Sequence, residues 1–372
     1  MSNPVLTGAI LIEANGAALN NAGNDAGARL DNAVVVKQVK IGRSSHPYIS
    51  GQAIRRWWRE VLYSDFGWQP SPVTREAKSA YTEGDPVKYA DDDVFGYMAA
   101  KKAIKRPKNA DKKAEDADDD SEGSKDAVES SGGTQRRISP LKNSLLVAVQ
   151  SRSISSDFGH FSRGLPVDNP NMVPFEHEQY TALMQGVFTL SLQDIGRFEC
   201  GPMRDIALDT PESKDAILVE KAAGNLRPRI LGVSLTERRK RVSETLIALG
   251  RLRHGANLTR NLTDVAPVVV LLGYIDGGNA PLQNLFSALG DESVALNLPR
   301  LTSILKDYKE RLLGQSRLYF GYRPGILANE PEVLSALDAG IEDVRFFVGT
   351  PGEAIKEAAK LTDLIITEAV SS

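Results

Sequence analysis

Apolar positions along the chain fall into two periods. In residues 50–64, Ile54, Trp57, Trp58, Val61 and Leu62 recur at i, i+3, i+4, i+7 and i+8, which places them on one face of a helix. Ser50 precedes them as an N-cap, because its hydroxyl oxygen can accept from the unpaired N–H groups of the first turn. His46-Pro47-Tyr48-Ile49 before it is extended, since proline disfavours helix in the residue it follows. This is the cleanest periodic segment of the chain. Residues 5–14 are apolar almost without a break and predict a buried strand. Residues 15–28, rich in Asn, Gly and Ala, predict a loop. Residues 33–41 alternate apolar and basic positions and predict a second extended segment.

Further along, residues 145–149 and 186–192 predict strands. Between them, residues 151–178 carry scattered Phe, Gly, Pro and Asn and predict a long excursion, read as a hairpin. Residues 235–252 predict a helix opened by Thr236 and a basic run, and residues 265–274 a buried strand. Beyond Leu301, helical patterns at 304–313 and 353–361 alternate with extended pieces at 318–322 and 344–348. No repeat of fixed period is present.

Composition changes this picture little, and local charge changes it more. The 372 residues are 41% hydrophobic and 25% charged, enough for one or two domains with a sizeable core. A formal net charge of -3 gives no global signature of a nucleic-acid binder, so charge is informative segment by segment. Residues 101–137 open on Lys and Arg, turn to Asp and Glu as far as Glu129, then reach Ser-Ser-Gly-Gly, with almost nothing apolar. Such a stretch has too little burial to offset its ordering entropy, and it predicts a flexible surface insertion.

Cys200 is the single cysteine. It excludes an internal disulfide and a Cys-based zinc site, fits a reducing cytoplasm, and beside Gly201-Pro202 reads as a buried thiol. The longest apolar run, residues 266–273, is far short of the roughly 20 residues of a spanning helix. No basic start precedes the first apolar run, so neither a membrane segment nor a signal peptide is expected. His46, His160, His177 and His254 lack metal-binding spacing, and no Walker A or GxSxG string occurs. No metal, cofactor or catalytic residue is assigned.

Candidate binding residues sit on four segments. On the Ser50 helix, Gln52, Arg55, Arg56 and Arg59 follow i, i+3, i+4, i+7 and centre nearly opposite the Trp stripe. Guanidinium groups suit phosphate because they stay charged and can bond bidentately. The spacing alone leaves two readings open, a solvated stripe and a phosphate-binding row. Lys37, Lys40 and Arg43 lie on the basic extended segment before the helix. Arg238 to Arg241 form a second basic run, followed by Arg251, Arg253, His254 and Arg260 around a flexible Gly255-Ala256-Asn257. In the long excursion, Phe158, His160 and Phe161 with Arg152 and Arg163 mix aromatic and basic groups, a combination that stacks on unpaired bases or packs a loop. Asp31, at the end of the Gly-rich loop, reads as a turn residue or as a carboxylate near a phosphate groove.

Residues 31–62, DNAVVVKQVKIGRSSHPYISGQAIRRWWREVL, resemble the start of the CRISPR-associated backbone-subunit family, the RAMP proteins of Cascade-type complexes. The strand-to-helix junction Tyr48-Ile49-Ser50-Gly51-Gln52-Ala53-Ile54-Arg55 carries the resemblance, with Arg59. Further echoes are Asp93-Val94-Phe95-Gly96-Tyr97-Met98, Ser139-Pro140-Leu141, and Phe175-Glu176-His177-Glu178-Gln179-Tyr180 leading into Gly186-Val187-Phe188-Thr189-Leu190. Their order is similar to the type I, DevR-like branch.

The resemblance implies an α+β fold, with a modified RRM/ferredoxin-like palm, a helical finger insertion and a β-hairpin thumb. Residues 1–65 would be the first part of the palm, 66–140 the finger with its charged loop at about 101–137, and 141–150 a palm strand. Residues 151–180 would be the thumb, and 181–372 the rest of the palm and a C-terminal region. It implies a non-enzymatic cytoplasmic subunit that polymerises along a guide crRNA and presents it to target DNA. Its partners would be further copies of itself and other effector subunits. Ser50, Gln52, Arg55, Arg56 and Arg59 would contact phosphates, joined by Lys37, Lys40, Arg43, Arg253, His254 and Arg260. Phe158, His160 and Met172 would be the thumb contacts that displace a base. No RNP1 aromatic string is present, so contact would be through phosphate and shape. Two rivals stand beside this reading: a type III-like endoribonuclease using Asp31, and a duplex-DNA regulator, against which no helix-turn-helix pair is found.

Overall fold

The structure is a computed structural model that describes residues 3–19, 21–24, 33–76, 79–100, 134–151, 154–161, 173–201, 203–207, 214–221, 228–290 and 293–371. Asp31, Met172, Arg152, Arg163 and residues 101–133 of the charged insertion lie outside them. The chain divides into two compact units. One comprises Met1–Pro70, Ser139–Gly196 and Val233–Ser372, the other Ser71–Ile138 and Arg197–Gly232.

The first unit is built on a 12-stranded sheet. Its main path uses β1 (Pro4–Ala17), β2 (Gln38–Ile41), β3 (Ser44–Ile49), β4 (Leu146–Ala148), β5 (Val173–Ser191), β6 (Pro267–Asp276), β7 (Arg317–Tyr322) and β8 (Arg345–Gly349). The spatial order is β8-β7-β6-β1-β5-β4-β3-β2. Neighbours are antiparallel except β7 and β8, which run parallel. The helices are α1 (Gly51–Phe66), α2 (Leu235–Leu249), α3 (Leu298–Tyr308), α4 (Glu330–Ala339) and α5 (Pro351–Ser371). The chain path β1-α1-β4-β5-α2-β6 thus places its four strands in the order fourth, first, third, second.

β1 is apolar without alternation because both faces of the sheet are covered around it. On one face Ala9, Leu11, Val269, Leu271, Leu318 and Phe320 join Leu285, Phe286, Leu301, Leu305, Val333 and Leu337 in a single core. On the other face, the Trp58 ring of α1 meets Phe188 edge-on at 5.6 Å. Its indole N–H donates to the Thr245 carbonyl of α2 at 2.7 Å. The Tyr274 hydroxyl of β6 donates to the Ala358 carbonyl of α5 at 2.6 Å. Gly8 must be glycine here, since a Cβ on it would lie 2.4 Å from the Phe188 ring.

β5 runs for 19 residues and serves two structures. Its second half pairs with β1, from Ala14↔Ala182 to Val5↔Ser191. Its first half forms a hairpin with Ser155–Phe161, in register from Ser155↔Gln179 to Phe161↔Val173.

Several sequence expectations need correction. The segment expected as a loop from Asn15 holds the end of β1 and the strand Asn21–Asn24, which pairs with Ala33–Val36. Backbone pairing there outweighs the loop-like composition. The cap of α2 is Ser234, whose hydroxyl accepts from Glu237 N at 3.2 Å, and not Thr236. The helix expected at 304–313 starts earlier, at Leu298, capped by Asn297, and ends in the 3-10 turn Lys309–Arg311.

The second unit departs furthest from expectation. Its described residues are mainly paired strands, Val73–Glu76 with Ser79–Thr82 and Tyr97–Ala100 with Thr134–Arg137. A three-stranded sheet adds Arg197–Cys200, Arg229–Gly232 and Ile217–Glu220. The helix Ala90–Phe95 has six residues, so the helical finger is not what the described residues form. Residues 197–232, assigned by sequence to the palm and C-terminal part, belong to this unit. Residues 134–137, assigned to the flexible tract, are strand.

Arg137 cross-links these segments, and its side chain is almost wholly buried. It pairs with Asp93, donates to the Asp93 carbonyl at 2.9 Å, reaches Asp205 at 2.8 Å, and lies 4.8 Å from the Phe198 ring centre. Cys200 is buried in the same unit, and burial pushes its thiol up. Replacing Arg137 strands the Asp93 carboxylate in the interior. Arg137→Met should therefore cost about 3–5 kcal/mol, read as early loss of amide-exchange protection across Arg197–Cys200 and Tyr97–Ala100. Unchanged protection would refute this role.

Candidate nucleic-acid interface

α1 forms as its sequence dictates. Ser50 Oγ accepts from Ala53 N at 3.3 Å, and Gly67 closes the helix in the left-handed conformation at φ 69°. Ile54, Trp57, Trp58, Val61 and Leu62 are all buried, so the opposite face points outward. On that face Gln52 is exposed and the Arg56 side chain is 80% exposed, with Glu60 at 3.8 Å. Arg59 is half-buried.

Arg55 breaks the expected row. Its guanidinium turns inward and donates to the Leu141 carbonyl at 2.7 Å, Ser139 Oγ at 2.8 Å and Asn143 Oδ1 at 3.3 Å. Asn143 Nδ2 donates back to the Gly51 carbonyl at 3.3 Å. Three acceptors in the 139–143 segment compete successfully with solvent for a planar five-donor group. Arg55 thus fixes the first turn of α1 against that segment, and the outward groups are Gln52, Arg56 and Arg59.

The basic segment before α1 is the hairpin of β2 and β3. Gly42, at φ 61°, occupies the first position of a two-residue turn, the position at which such hairpins favour glycine. Lys40 and Arg43 are exposed and Lys37 half-buried. His46, buried, ties β3 to β4 through Nδ1 and the Ala148 carbonyl at 2.9 Å. Where the sheet face is open near this hairpin, a groove of about 610 Å³ runs past Ile41, Leu145, Val147, Gln185, Val187 and Arg300.

The loop after α2 was expected to offer Arg253, His254 and Arg260. Arg253 is already engaged, bonding Asp65 and Ser64 at the end of α1 at 2.5 and 2.6 Å, with Arg251 3.4 Å from the same carboxylate. The hydrogen bond from Arg253 is the main reason that the Asp65 carboxyl is drawn from 3.8 to about 2. His254 is half-buried, and its Nε2 has no hydrogen-bond partner among the described residues.

Arg260 is exposed and lies 5.8 Å from the Phe175 ring centre, at the hairpin of β5. His177 packs on the same ring at 5.0 Å and is held below the usual imidazole range by burial and then by Arg260. Asn261 Nδ2 donates to the Gly16 carbonyl and to Gln179 Oε1, both at 2.8 Å, fastening the loop to β1 and the hairpin. Phe158 and His160 lie on the opposite face of the hairpin, edge-on at 5.0 Å, with Phe158 58% exposed.

The basic run of α2 also divides. Arg238 is buried, donating to the Ile195 carbonyl at 2.8 Å and the Leu192 carbonyl at 3.0 Å. Arg241 is buried against Glu237 at 3.0 Å. Lys240 is exposed and Arg239 half-buried. Sequence reasoning missed Ser139, Asn143 and Asp65 as positioning residues; no charge pattern signals the first two, and Asp65 could have been noticed as the lone acid ending the basic helix. Among the described residues, no group of three or more His, Cys, Asp or Glu could hold a metal ion, and no helix is long and apolar enough to cross a membrane.

Fold and surface together define a class, an α+β protein on a large mixed sheet with a projecting hairpin and a helix basic on its outer side. The profile described as "CRISPR-associated negative auto-regulator DevR/Csa2" matches residues 8–285, and the chain belongs to that family. Among solved structures it resembles a chain described as "CRISPR RNA-guided surveillance complex, pre-nicking". The TM-score is 0.52 at 9% identity, covering 98% of this chain and 100% of that one. Another, described as "CRISPR RNA-guided surveillance complex", aligns with a TM-score of 0.48 at 11% identity over 98% and 99%. At 9% identity the first likeness establishes a shared fold. No curated protein matches the chain.

The Asp65 clip carries a pH dependence. A carboxylate whose folded pKa is depressed stabilises above its unfolded value and loses that contribution as pH falls through the folded one. The α1–251/253 contact should therefore be complete above pH 3.8 and lost as pH falls through about 2. Asp65→Asn should remove this component from an acid titration of stability; identical titrations of both proteins would refute it.

Proposed function

We propose that this chain is a non-catalytic backbone subunit of a type I CRISPR surveillance complex, polymerising along a guide crRNA in the cytoplasm. It holds the RNA by its phosphates for pairing with target DNA and assembles with further copies of itself and other effector subunits. The observation that carries this is the outward face of α1. In a chain of this family, inward anchors from Trp58 and Arg55 hold Gln52 and Arg56 on the outward side, with the half-buried Arg59 beside them.

The β1-α1-β4-β5-α2-β6 path is the RRM-like palm of this reading. An RRM that stacks bases on its sheet needs an open face. Here α1, α2 and α5 cover one side of the sheet's centre and the 282–344 core the other, which favours backbone over base contact. Lys40 and Arg43 extend the basic surface, and Arg260 adds a cation at the hairpin. Phe158 and His160 give the hairpin, as thumb, an exposed aromatic face able to wedge between stacked bases.

The double variant Arg56→Glu, Arg59→Glu should weaken guide binding for all sequences alike. Losing two phosphate contacts should reduce the slope of log affinity against log salt by roughly 1.4. Arg55→Lys should instead lower stability, since one ammonium replaces a fork that bonds three acceptors. An unchanged salt slope in the double variant would overturn the assignment.

A further inference from the structure

The helix layer carries a second basic groove away from the outward face of α1. It lies between α2 and α5, has a volume of about 510 Å³, and is lined by Thr236, Arg239, Lys240, Ser243, Ile247, Lys356, Ala359 and Lys360. α2 packs against both α1 and α5, so this groove is one helix removed from the proposed guide contact. Four of its eight lining residues are cationic and two more are hydroxyl donors.

Among the described side chains of the same helices, the carboxylates are largely committed elsewhere. Glu237 bonds Arg241 at 3.0 Å, Glu244 accepts from Trp68 Nε1 at 2.6 Å, and Glu353 accepts from Thr350 N and Oγ1 at 2.8 Å. Glu357 pairs with Lys360, whose side chain is still 71% exposed. Lys240 and Lys356 are exposed and have no salt bridge among the described residues. Lys356 and Lys360 stand one helical turn apart, a like-charge spacing that is mildly unfavourable without a counter-anion.

We propose that this groove is a phosphodiester track for a second nucleic-acid strand, the DNA strand left unpaired when the guide pairs with its complement. The proposal rests on the guide-binding reading above, because pairing with a guide is what leaves one strand of a duplex without a partner. The lining decides between nucleic acid and protein. A docked protein segment needs an apolar anchor pocket, and the only apolar side chains here are Ile247, half-buried, and Ala359, buried. A sugar–phosphate backbone needs cations and hydroxyl donors at helical spacing, which the groove supplies. No aromatic side chain lines the groove, so the strand is held by charge and without base stacking.

The test uses the assembled, guide-loaded complex and oligothymidylate as the probe. The triple variant Lys240→Glu, Lys356→Glu, Lys360→Glu should keep its guide RNA at the wild-type amount. It should bind the probe more weakly, with the slope of log affinity against log salt reduced by roughly 2 for three lost contacts to a single strand. The matching Lys→Gln triple serves where charge reversal disturbs assembly, and should show the same direction. Wild-type probe affinity and slope in either folded variant would overturn the proposal. Loss of a protein subunit with probe binding intact would also overturn it, and would make the groove a protein dock. If the wild-type complex carries no guide RNA, it is the guide-binding reading that fails, and the probe measurement still reports on the groove itself.

Discussion

Trp58 lies with its ring edge against Phe188 of the sheet and its N–H on a carbonyl of α2, and this contact sets the orientation of the whole candidate interface. A buried indole must satisfy its donor, so rotation of α1 about its axis is fixed from two sides. Gly8 provides the space beneath Phe188. Once the Trp58 side of α1 is committed inward, the positions opposite it face outward, and Arg56 and Arg59 are presented by a helix that has no freedom to roll. Arg55 adds a third constraint at the first turn by gripping residues 139–143.

The arginines of this protein divide by the acceptors within their reach. Arg55, Arg137 and Arg238 each meet backbone carbonyls, and Arg137 meets carboxylates as well. Their planar forks are satisfied inside the fold, where they act as cross-links between segments distant in sequence. Arg56, Lys40, Arg43, Lys240 and Lys356 meet few or none and are exposed. The two roles have the same composition in the sequence and opposite consequences for function.

That division explains what was legible in the sequence. α1, its cap, its buried stripe and the continuous strand β1 were readable because each is determined by residues a few positions apart. A hairpin somewhere in 151–178 was expected from composition, and its register, Ser155↔Gln179 to Phe161↔Val173, was not. Arg55 was not readable as an anchor, because its acceptors at Ser139, Leu141 and Asn143 are more than eighty residues away. Arg253 was taken as an available cation because its partner, Asp65, lies at the end of another helix. The second unit was misread as helical because its order comes from strands that pair across a long insertion, and from residues 197–232, which join it from a distant part of the chain. Composition reports whether a segment can bury surface, and it is silent on which remote segment it will meet.

The central claim is that the outward face of α1 holds a guide RNA by its phosphates. Ultraviolet cross-linking of the purified complex, with mass-spectrometric mapping of the cross-linked peptides and sequencing of the attached nucleic acid, tests it most directly. The account predicts short RNA of uniform length with shared ends, cross-linked to peptides containing Gln52 to Arg59 and to the Phe158 hairpin. Recovery of duplex DNA alone, or of RNA whose cross-links avoid α1, would contradict it.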